Sequence, residues 1–518
     1  MKLLPAVAGL APSILVAACS GTSSLPPQMQ PPSGSRLDNV NHIIVVMMEN
    51  HSFDNYFGAL AYAPGSPYHT DAIDCAMDDN SCVDGLRCDS DSNGGLGCSN
   101  SNPEDDASTV SVFHSTSRCV LPDLAHSWSE SHLEVNFNDP NATLLNALND
   151  GFVRVNDASD QPDNAAETPT EDSTMGYYTQ EDLPFYYDLA QEFAIDDRYF
   201  SSVMGSTLPN RLYLMAATSF GHVDTGDSVP PEGFRPITGT ILDLLDSAGI
   251  SWTDYFQDAA RAAVFRQPSG SATDAHFQPV QAFLSSAAGS MGAARLPQVS
   301  FVDPGAFGPN ENDEHPPTDI QRGQLFVSQI VNAVRGGPYW QDSVVFITYD
   351  ESGGFYDHVA PPLAPQGLAR TPDGIFPGQC ADLSNPPASQ QPGAGAGCAV
   401  SESQARSLCA GLAQNPNGPY PENCASFDQL GVRVPFLVVS PFAKHSYVSH
   451  TVGDHTSILA FIEERFLTST GEAGTRPHLT QRDQNANALL DMFDFETAPS
   501  LNTPVIQAQP PATDCTPQ

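Results

Sequence analysis

Asn41-His42-Ile43-Ile44-Val45-Val46-Met47-Met48-Glu49-Asn50-His51-Ser52-Phe53-Asp54-Asn55-Tyr56-Phe57-Gly58 decides how the rest of the chain is read. From Ile43 to Met48 it is an unbroken apolar run, the pattern of a strand buried on both faces in a parallel sheet. The run stops at Glu49-Asn50. A carboxylate and an amide at the C-terminal end of a buried strand contribute nothing to packing, and in open α/β sheets that edge is where ligands bind. Ser52 is placed to cap a turn or helix that returns Phe53, Tyr56 and Phe57 to the core.

The same logic recurs downstream. Val344–Tyr349 is a second apolar run, ending in Asp350-Glu351-Ser352-Gly353-Gly354-Phe355-Tyr356-Asp357-His358. Gln298–Val302 reads as another buried strand, ending at Asp303-Pro304, and the loop beyond holds Asn312-Asp313-Glu314-His315-Pro316-Pro317. Phe193–Ile195, Ile250–Tyr255 and Val434–Ser440 read as further strands. Helical periodicity predicts helices over Pro184–Gln191, Ile237–Ala248 and Ile320–Val334, one from the Gly205-Ser206-Thr207 turn to about Thr218, and one opening at Gly453-Asp454-His455. Strands alternating with helices predict a three-layer α/β/α sandwich with a mostly parallel central sheet.

The 518 residues are 40% hydrophobic, enough for one large core, and carry a net charge of −41 with only 20 Lys plus Arg. Such acidity excludes nucleic acid as a partner and disfavours adhesion to anionic membranes. Lys2 and the apolar stretch after it read as an export signal. Val16-Ala17-Ala18-Cys19 has the form of a bacterial lipobox, so residues 1–19 are expected to be a lipoprotein signal with Cys19 lipidated, the alternative being cleavage by ordinary signal peptidase at the small residues there. The protein is then expected at the cell envelope, attached to the membrane through that anchor alone, or released from it. Residues 20–36 read as a flexible tether, 37–500 as the catalytic domain and 501–518 as a tail. Setting Cys19 aside, the 11 cysteines leave 10, an even number that suits disulfides in an oxidising compartment. They fall largely in two polar insertions, about 62–118 and about 361–423. Asp89-Ser90-Asp91-Ser92-Asn93-Gly94 has the first half of a calcium loop, but Asn100 stands where its last carboxylate belongs. A disulfide-pinned turn is the plainer reading.

Two buried strands ending in acids, at Glu49 and at Asp350-Glu351, bring like charges to one sheet edge. That is costly without a cation, and oxygen ligands, Asn50 included, suit a hard divalent metal. Gly205-Ser206-Thr207 precedes Pro209 at a helix start, where backbone N–H groups and the helix dipole favour a phosphate. Either hydroxyl there is a candidate nucleophile. Leu124-Ala125-His126-Ser127-Trp128 and Asp150-Gly151-Phe152-Val153 complete the set of polar punctuations.

Glu49-Asn50-x-Ser52-Phe53-Asp54-x-Tyr56-Phe57-Gly58, Thr207-x-Pro209-Asn210-Arg211 and Tyr349-Asp350-Glu351-x-x-Gly354-Phe355-Tyr356-Asp357-His358 occur in the order found in the bacterial phosphoesterase family, which the chain resembles from about Val40 to Phe466. That family holds phosphatidylcholine-type phospholipases C and respiratory-burst-inhibiting acid phosphatases, and its fold is alkaline-phosphatase-like. The resemblance implies metal-assisted phosphoester hydrolysis through a covalent intermediate on Thr207, with Ser206 as the alternative. It assigns the metal to Glu49, Asn50, Asp350 and Glu351 and leaves its identity open among calcium, magnesium, manganese and zinc. His126 and His315 match active-site histidines, one to hold the phosphoryl group and one to protonate the leaving group. His358 and His455 read as supporting, and Arg211 as a partner for a carboxylate. His51 stands where the family often has Arg. A phosphatidylcholine headgroup would call for an aromatic cage, for which Tyr177, Tyr178, Tyr186 and Tyr187 are candidates. The alternatives are a phosphatase of small monoesters and a non-catalytic surface lipoprotein that keeps the fold as a binding module.

Overall fold

The computed structural model describes residues 36–71, 75–90, 96–105, 108–120, 123–140, 148–157, 171–226, 229–230, 233–236, 238–265, 275–365, 373, 427–468, 476–501, 506 and 508. The signal, lipobox and tether readings, most of the second insertion, the central residues of the calcium-like loop and nearly all of the tail lie outside them.

Eight strands form the central sheet: β1 (His42–Met48), β2 (Ala194–Asp196), β3 (Trp252–Phe256), β4 (Phe277–Pro279), β5 (Val299–Asp303), β6 (Ser343–Tyr349), β7 (Phe436–Val439) and β8 (Tyr447–Ser449). Their order is β4-β3-β5-β1-β6-β7-β2-β8. Every pairing is parallel except those of β7, which runs against both β6 and β2. The apolar run of the opening stretch is therefore the middle of the sheet, flanked by β5 and β6. From Ile43 to Met48 every side chain is buried, as a strand covered on both faces requires. The direction of β7 is a departure from a purely parallel reading, and β4 and β8, three residues each, carry too little pattern to stand out in the sequence.

The helices are α1 (Phe53–Phe57), α2 (Trp128–Val135), α3 (Phe152–Asn156), α4 (Pro184–Glu192), α5 (Thr207–Ala216), α6 (Ile241–Ala248), α7 (Val280–Ala287), α8 (Ile320–Arg335), α9 (His455–Phe466) and α10 (Gln481–Asn485). α5 packs with α6 and α9, and α9 with α10, while α8 packs with α4 and α7. These are the two outer layers of the sandwich. Ser52 caps α1 as expected, accepting from Asn55 N at 3.1 Å. α6 starts four residues later than its periodicity suggests, because Thr240 and Asp243 form a reciprocal capping box there. The first insertion contains small antiparallel hairpins and the disulfides Cys75–Cys82 and Cys88–Cys98. Cys119 is disulfide-bonded as well. No helix among the described residues is long and apolar enough to cross a membrane.

Candidate active site

The register of the sheet sets the site. Met48 pairs with Tyr349, so Glu49 and Asp350 leave neighbouring parallel strands side by side at the C-terminal edge. Both are buried. Two adjacent buried carboxylates repel unless a cation intervenes. Arg211 does so in this structure: its Nη2 donates to Glu49 Oε1 at 3.0 Å and its Nε to Asp350 Oδ2 at 3.1 Å. Arg261 donates to the same Glu49 oxygen at 2.9 Å. Burial works against ionised Glu49, but the two guanidiniums outweigh it and hold its pKa below the usual carboxylate value. Asp350 moves the other way, raised by burial and by Glu49 more than Arg211 lowers it. Glu351 is raised furthest, by burial and then by Asp350.

Asn50 adopts a left-handed backbone with φ of 65°, and its N–H donates to Asp350 Oδ1 at 3.3 Å. Its side-chain oxygen and nitrogen are buried without hydrogen-bond partners, as is Glu351 Oε1. Orphaned oxygens beside three carboxylates are what a hard cation would satisfy, so Glu49, Asn50, Asp350 and Glu351 fit a divalent metal in donor type. As they lie, the three carboxylates are not among the described groups whose ligand atoms close to within 4.8 Å of one another. Asp123, His126 and His315 do reach that closeness. Two other such groups have different explanations. Cys75 of the Cys75, Asp197 and His450 group is spent in a disulfide. Asp54, Asp357 and His358 are neutralised by one another and by Arg433.

Thr207 is the first residue of α5. The turn before it is tied by Asn210, whose Oδ1 accepts from Val203 N at 3.0 Å and whose Nδ2 donates to the carbonyls of Val203, Gly205 and Ser206. Pro209-Asn210-Arg211 thus has a physical reading: Asn210 folds the turn that presents the hydroxyl, and Arg211 bridges the acids beneath it. Ser206 Oγ accepts from Thr225 Oγ1 at 2.9 Å, and Thr225 also accepts from Leu208 N. Thr207 lines a cavity of about 290 Å³ walled by Met47, Leu214, Met215, Val264 and Phe301, with Arg211 and Asp303 at its polar part.

His126 and His315 stand together, ring centroids 6.0 Å apart. Each donates Nδ1–H to a carbonyl, His126 to Leu124 at 2.6 Å and His315 to Pro316 at 2.7 Å, because a carbonyl can only accept. That leaves both Nε2 atoms for the site. His126 Nε2 is 3.8 Å from Glu351 Oε1, and His315 Nε2 is 3.7 Å from Asp123 Oδ2. Burial opposes charge on His315, yet Asp123 and Glu49 raise its pKa above the ordinary value. His455 sits behind the site, its Nε2 2.7 Å from the Asp350 carbonyl. His358 lies between Asp54 and Asp84, away from these groups. His51, at the position where Arg was expected, is wholly interior, its Nε2 3.0 Å from the Glu314 carbonyl.

The four tyrosines offered as a choline cage are core residues. Tyr177, Tyr178, Tyr186 and Tyr187 are all buried, and their hydroxyls are spent on Leu96 O, Ser117 O, Glu314 and Tyr178 O. The sequence reading had not placed Asp123, Arg261 or Glu314 near the site. Asp123 lies three residues before His126 and Glu314 one before His315, so adjacency to the marked histidines was the available signal. Arg261 follows no motif.

Residues 40–468 match the model of the Phosphoesterase family. Non-specific phospholipase C6 of Arabidopsis thaliana is 28% identical over 479 residues, covering 90% of this chain and 74% of its own. Phospholipase C A of Mycobacterium tuberculosis is 27% identical over 519 residues, covering 94% of this chain and 84% of its own. Among solved structures, murine ectonucleotide pyrophosphatase/phosphodiesterase 5 overlaps 60% of this chain and 95% of its own, at 12% identity and a TM-score of 0.31.

Proposed function

The chain belongs to the phosphoesterase family, hydrolases of phosphoester bonds, and we propose that it is a phospholipase C acting on phosphatidylcholine-like lipids through a covalent intermediate on Thr207. The observation that carries this reading is the mainly apolar cavity that Thr207 lines. A soluble monoester gains nothing from such a surface, whereas a lipid ester buries apolar area there at roughly 25 cal/mol per Å². The names of the relatives point the same way.

A divalent cation held by Glu49, Asn50, Asp350 and Glu351 would favour the Thr207 alkoxide and neutralise charge on the phosphoryl oxygens. The chain's own groups do the rest. Thr207 gives up its hydroxyl proton to solvent and its Oγ1 attacks phosphorus at the N-terminus of α5, where the helix dipole favours the anion. The bond from phosphorus to the glycerol oxygen breaks, and His315 passes its Nε2 proton to the departing alkoxide. Water then attacks the phosphothreonine, its hydroxyl going to phosphorus and its proton to Thr207 Oγ1, which releases the phosphorylated headgroup and restores Thr207, while His315 regains its proton from solvent. His126 Nε2 holds a phosphoryl oxygen. Arg211 stays on Glu49 and Asp350 and keeps the carboxylates apart from one another.

Hydrolysis of p-nitrophenylphosphorylcholine and p-nitrophenyl phosphate by the mature protein tests this, beside Thr207→Ala and Thr207→Ser and with chelator. The diester is expected to be preferred, Thr207→Ala to lose at least about 1,000-fold in turnover, and Thr207→Ser to keep a measurable part. Preference for the monoester would favour the phosphatase. Undiminished turnover in Thr207→Ala would transfer the role to Ser206 or to water, and no turnover of any ester would favour the binding module.

A further inference from the structure

Glu314 is wholly buried, yet it is a carboxyl surrounded by tyrosine hydroxyls rather than by a cation. Tyr56 donates to its Oε2 at 2.6 Å, Tyr349 donates to the same oxygen, and Tyr186 donates to Oε1 at 2.7 Å. Those tyrosines come from three different elements: α1, the last residue of β6, and α4. Space has been left for the carboxyl on a fourth. A Cβ added to Gly323 of α8 would lie 2.1 Å from Glu314 Cγ and 2.3 Å from its Oε1.

The backbone of this residue is as constrained as its side chain. Glu314 has a φ of 76°, a left-handed conformation costly for a side chain of its size. Its carbonyl meets His51 Nε2 at 3.0 Å, and the preceding carbonyl, of Asp313, accepts from Glu49 N at 2.9 Å. His51 in turn reaches Asn55 through Nδ1 and stacks on Tyr56 at 4.2 Å. The next residue along is His315. A chain held at residue 313 by the strand end, at 314 by three hydroxyls and a histidine, and turned by a positive φ fixes the backbone from which the 315 side chain leaves, and the ring is then held by its Nδ1 bond to the Pro316 carbonyl.

We infer that Glu314 is a positioning residue for the acid of the reaction: its three-tyrosine anchor fixes the strained turn that aims His315 at the leaving group. This rests on the reading of His315 as the proton donor. Glu314 touches no substrate in this scheme and acts through its neighbour. The anchor also ties the aim of His315 to the two metal-holding strands, since Tyr349 immediately precedes Asp350 and Asp313 is bonded to Glu49.

The chemistry supplies a readout that a purely structural role would not move. A p-nitrophenolate leaves without a proton, whereas the alkoxide of a diacylglycerol needs one, and a positioned acid is worth about 100-fold or more. Glu314→Gln keeps the shape but has one acceptor oxygen where the carboxylate has two, so its NH₂ meets hydroxyls that were donating. Turnover of phosphatidylcholine in mixed micelles is expected to fall about 100-fold in Glu314→Gln, while p-nitrophenylphosphorylcholine falls less than about 3-fold and KM for both is little changed. His315→Asn provides the benchmark and is expected to show the same selective loss. Tyr186→Phe removes one hydroxyl and keeps the ring. It carries the same test at about 5-fold amplitude should the Gln variant not fold, which thermal melts will show. Equal losses on both esters, or none, in Glu314→Gln and Tyr186→Phe while His315→Asn stays selective would overturn this inference alone. Selectivity unaltered in His315→Asn as well would remove the acid role of His315 and this inference with it.

Discussion

Arg433 is a buried cation whose removal should be strongly felt. It has no exposed surface. Its Nε donates to Asp357 at 3.1 Å and its Nη2 to Asp54 at 3.0 Å, while Nη1 donates to the carbonyls of Asp84 and Asp197 at 2.8 and 2.9 Å. It therefore joins the helix after the first acid motif, the tail of the second, the first insertion and the turn after β2. Arg433→Met keeps the stem and deletes the charge. Leaving a buried partner uncompensated costs about 3–5 kcal/mol, and two carbonyls losing donors add about 1 kcal/mol each. His358 still pairs with Asp54 and returns part of this, so a net loss near 5 kcal/mol is expected. With an unfolding entropy of about 2.1 cal/mol/K per residue over a cooperative unit of roughly 430 residues, that loss lowers Tm by about 5–6 °C. Burial already raises Asp357 to about 6, against the pull of Arg433. Without the arginine it rises further, so between pH 7.5 and about 6 the variant keeps Asp357 neutral where the wild type ionises it, and the deficit at pH 5 should be smaller by up to about 2 kcal/mol. Calorimetry of both proteins at pH 7.5 and pH 5 measures this. A deficit under about 1 °C at pH 7.5, or one that fails to narrow at pH 5, would refute the account of Arg433 as the neutraliser of these two acids.

Two further outcomes follow from named groups. Burial opposes charge on His358, but Asp54 and Asp84 raise it from the ordinary 6.5 to about 10. A raised pKa means stability present in full below pH 6.5 and lost as pH climbs through 10, worth at most about 5 kcal/mol. Urea melts of the wild type should therefore weaken between pH 7 and 10, and those of His358→Gln should be flatter; identical slopes would show that the pair contributes nothing. Asn210→Asp keeps the acceptor for Val203 N but cannot donate to the carbonyls of Val203, Gly205 and Ser206. It should cost about 2–4 kcal/mol and lower kcat for the nitrophenyl diester more than it raises KM, and wild-type kinetics in that variant would dissociate the turn from Thr207.

The centre of the fold was legible because a strand buried on both faces leaves an unmixed signal. Ile43–Met48 is apolar without interruption and Val344–Tyr349 is broken only by Thr348, and each stops at acids that no packing argument explains. Parallel register then does what no local pattern states: it puts Glu49 beside Asp350 although 300 residues separate the partners Asn50 and Asp350 in sequence. The strand β7 carries the same kind of run, but apolar alternation says nothing of direction, so its antiparallel placement was out of reach. β4 and β8 are too short for any period to register. The core tyrosines illustrate the converse. Aromatic clusters around Tyr177 and Tyr186 can serve a ligand cage but more often fill a core, and here burial and their hydroxyl partners tell which.

What sequence reasoning missed at the site has a common cause. Arg261 reaches Glu49 across 212 positions, and Glu314 reaches three tyrosines across gaps of 35, 128 and 258. Neither residue breaks a local rule: an arginine in a loop and a glutamate before a histidine are ordinary. Their importance comes from burial, which converts weak solvent-screened interactions into strong ones. In a protein with 61 acidic residues, most acids face water and mean little one by one. The informative acids are those the fold removes from water: Glu49 is met by a guanidinium, Glu314 by hydroxyls and Asp54 by a histidine and a guanidinium, while Glu351 is among those with an oxygen unmet. Glu351 lies at the strand end where a cation would complete it, beside an amide in the same condition. That coincidence, more than the number of acids, is what makes the edge of β1 and β6 the candidate active site.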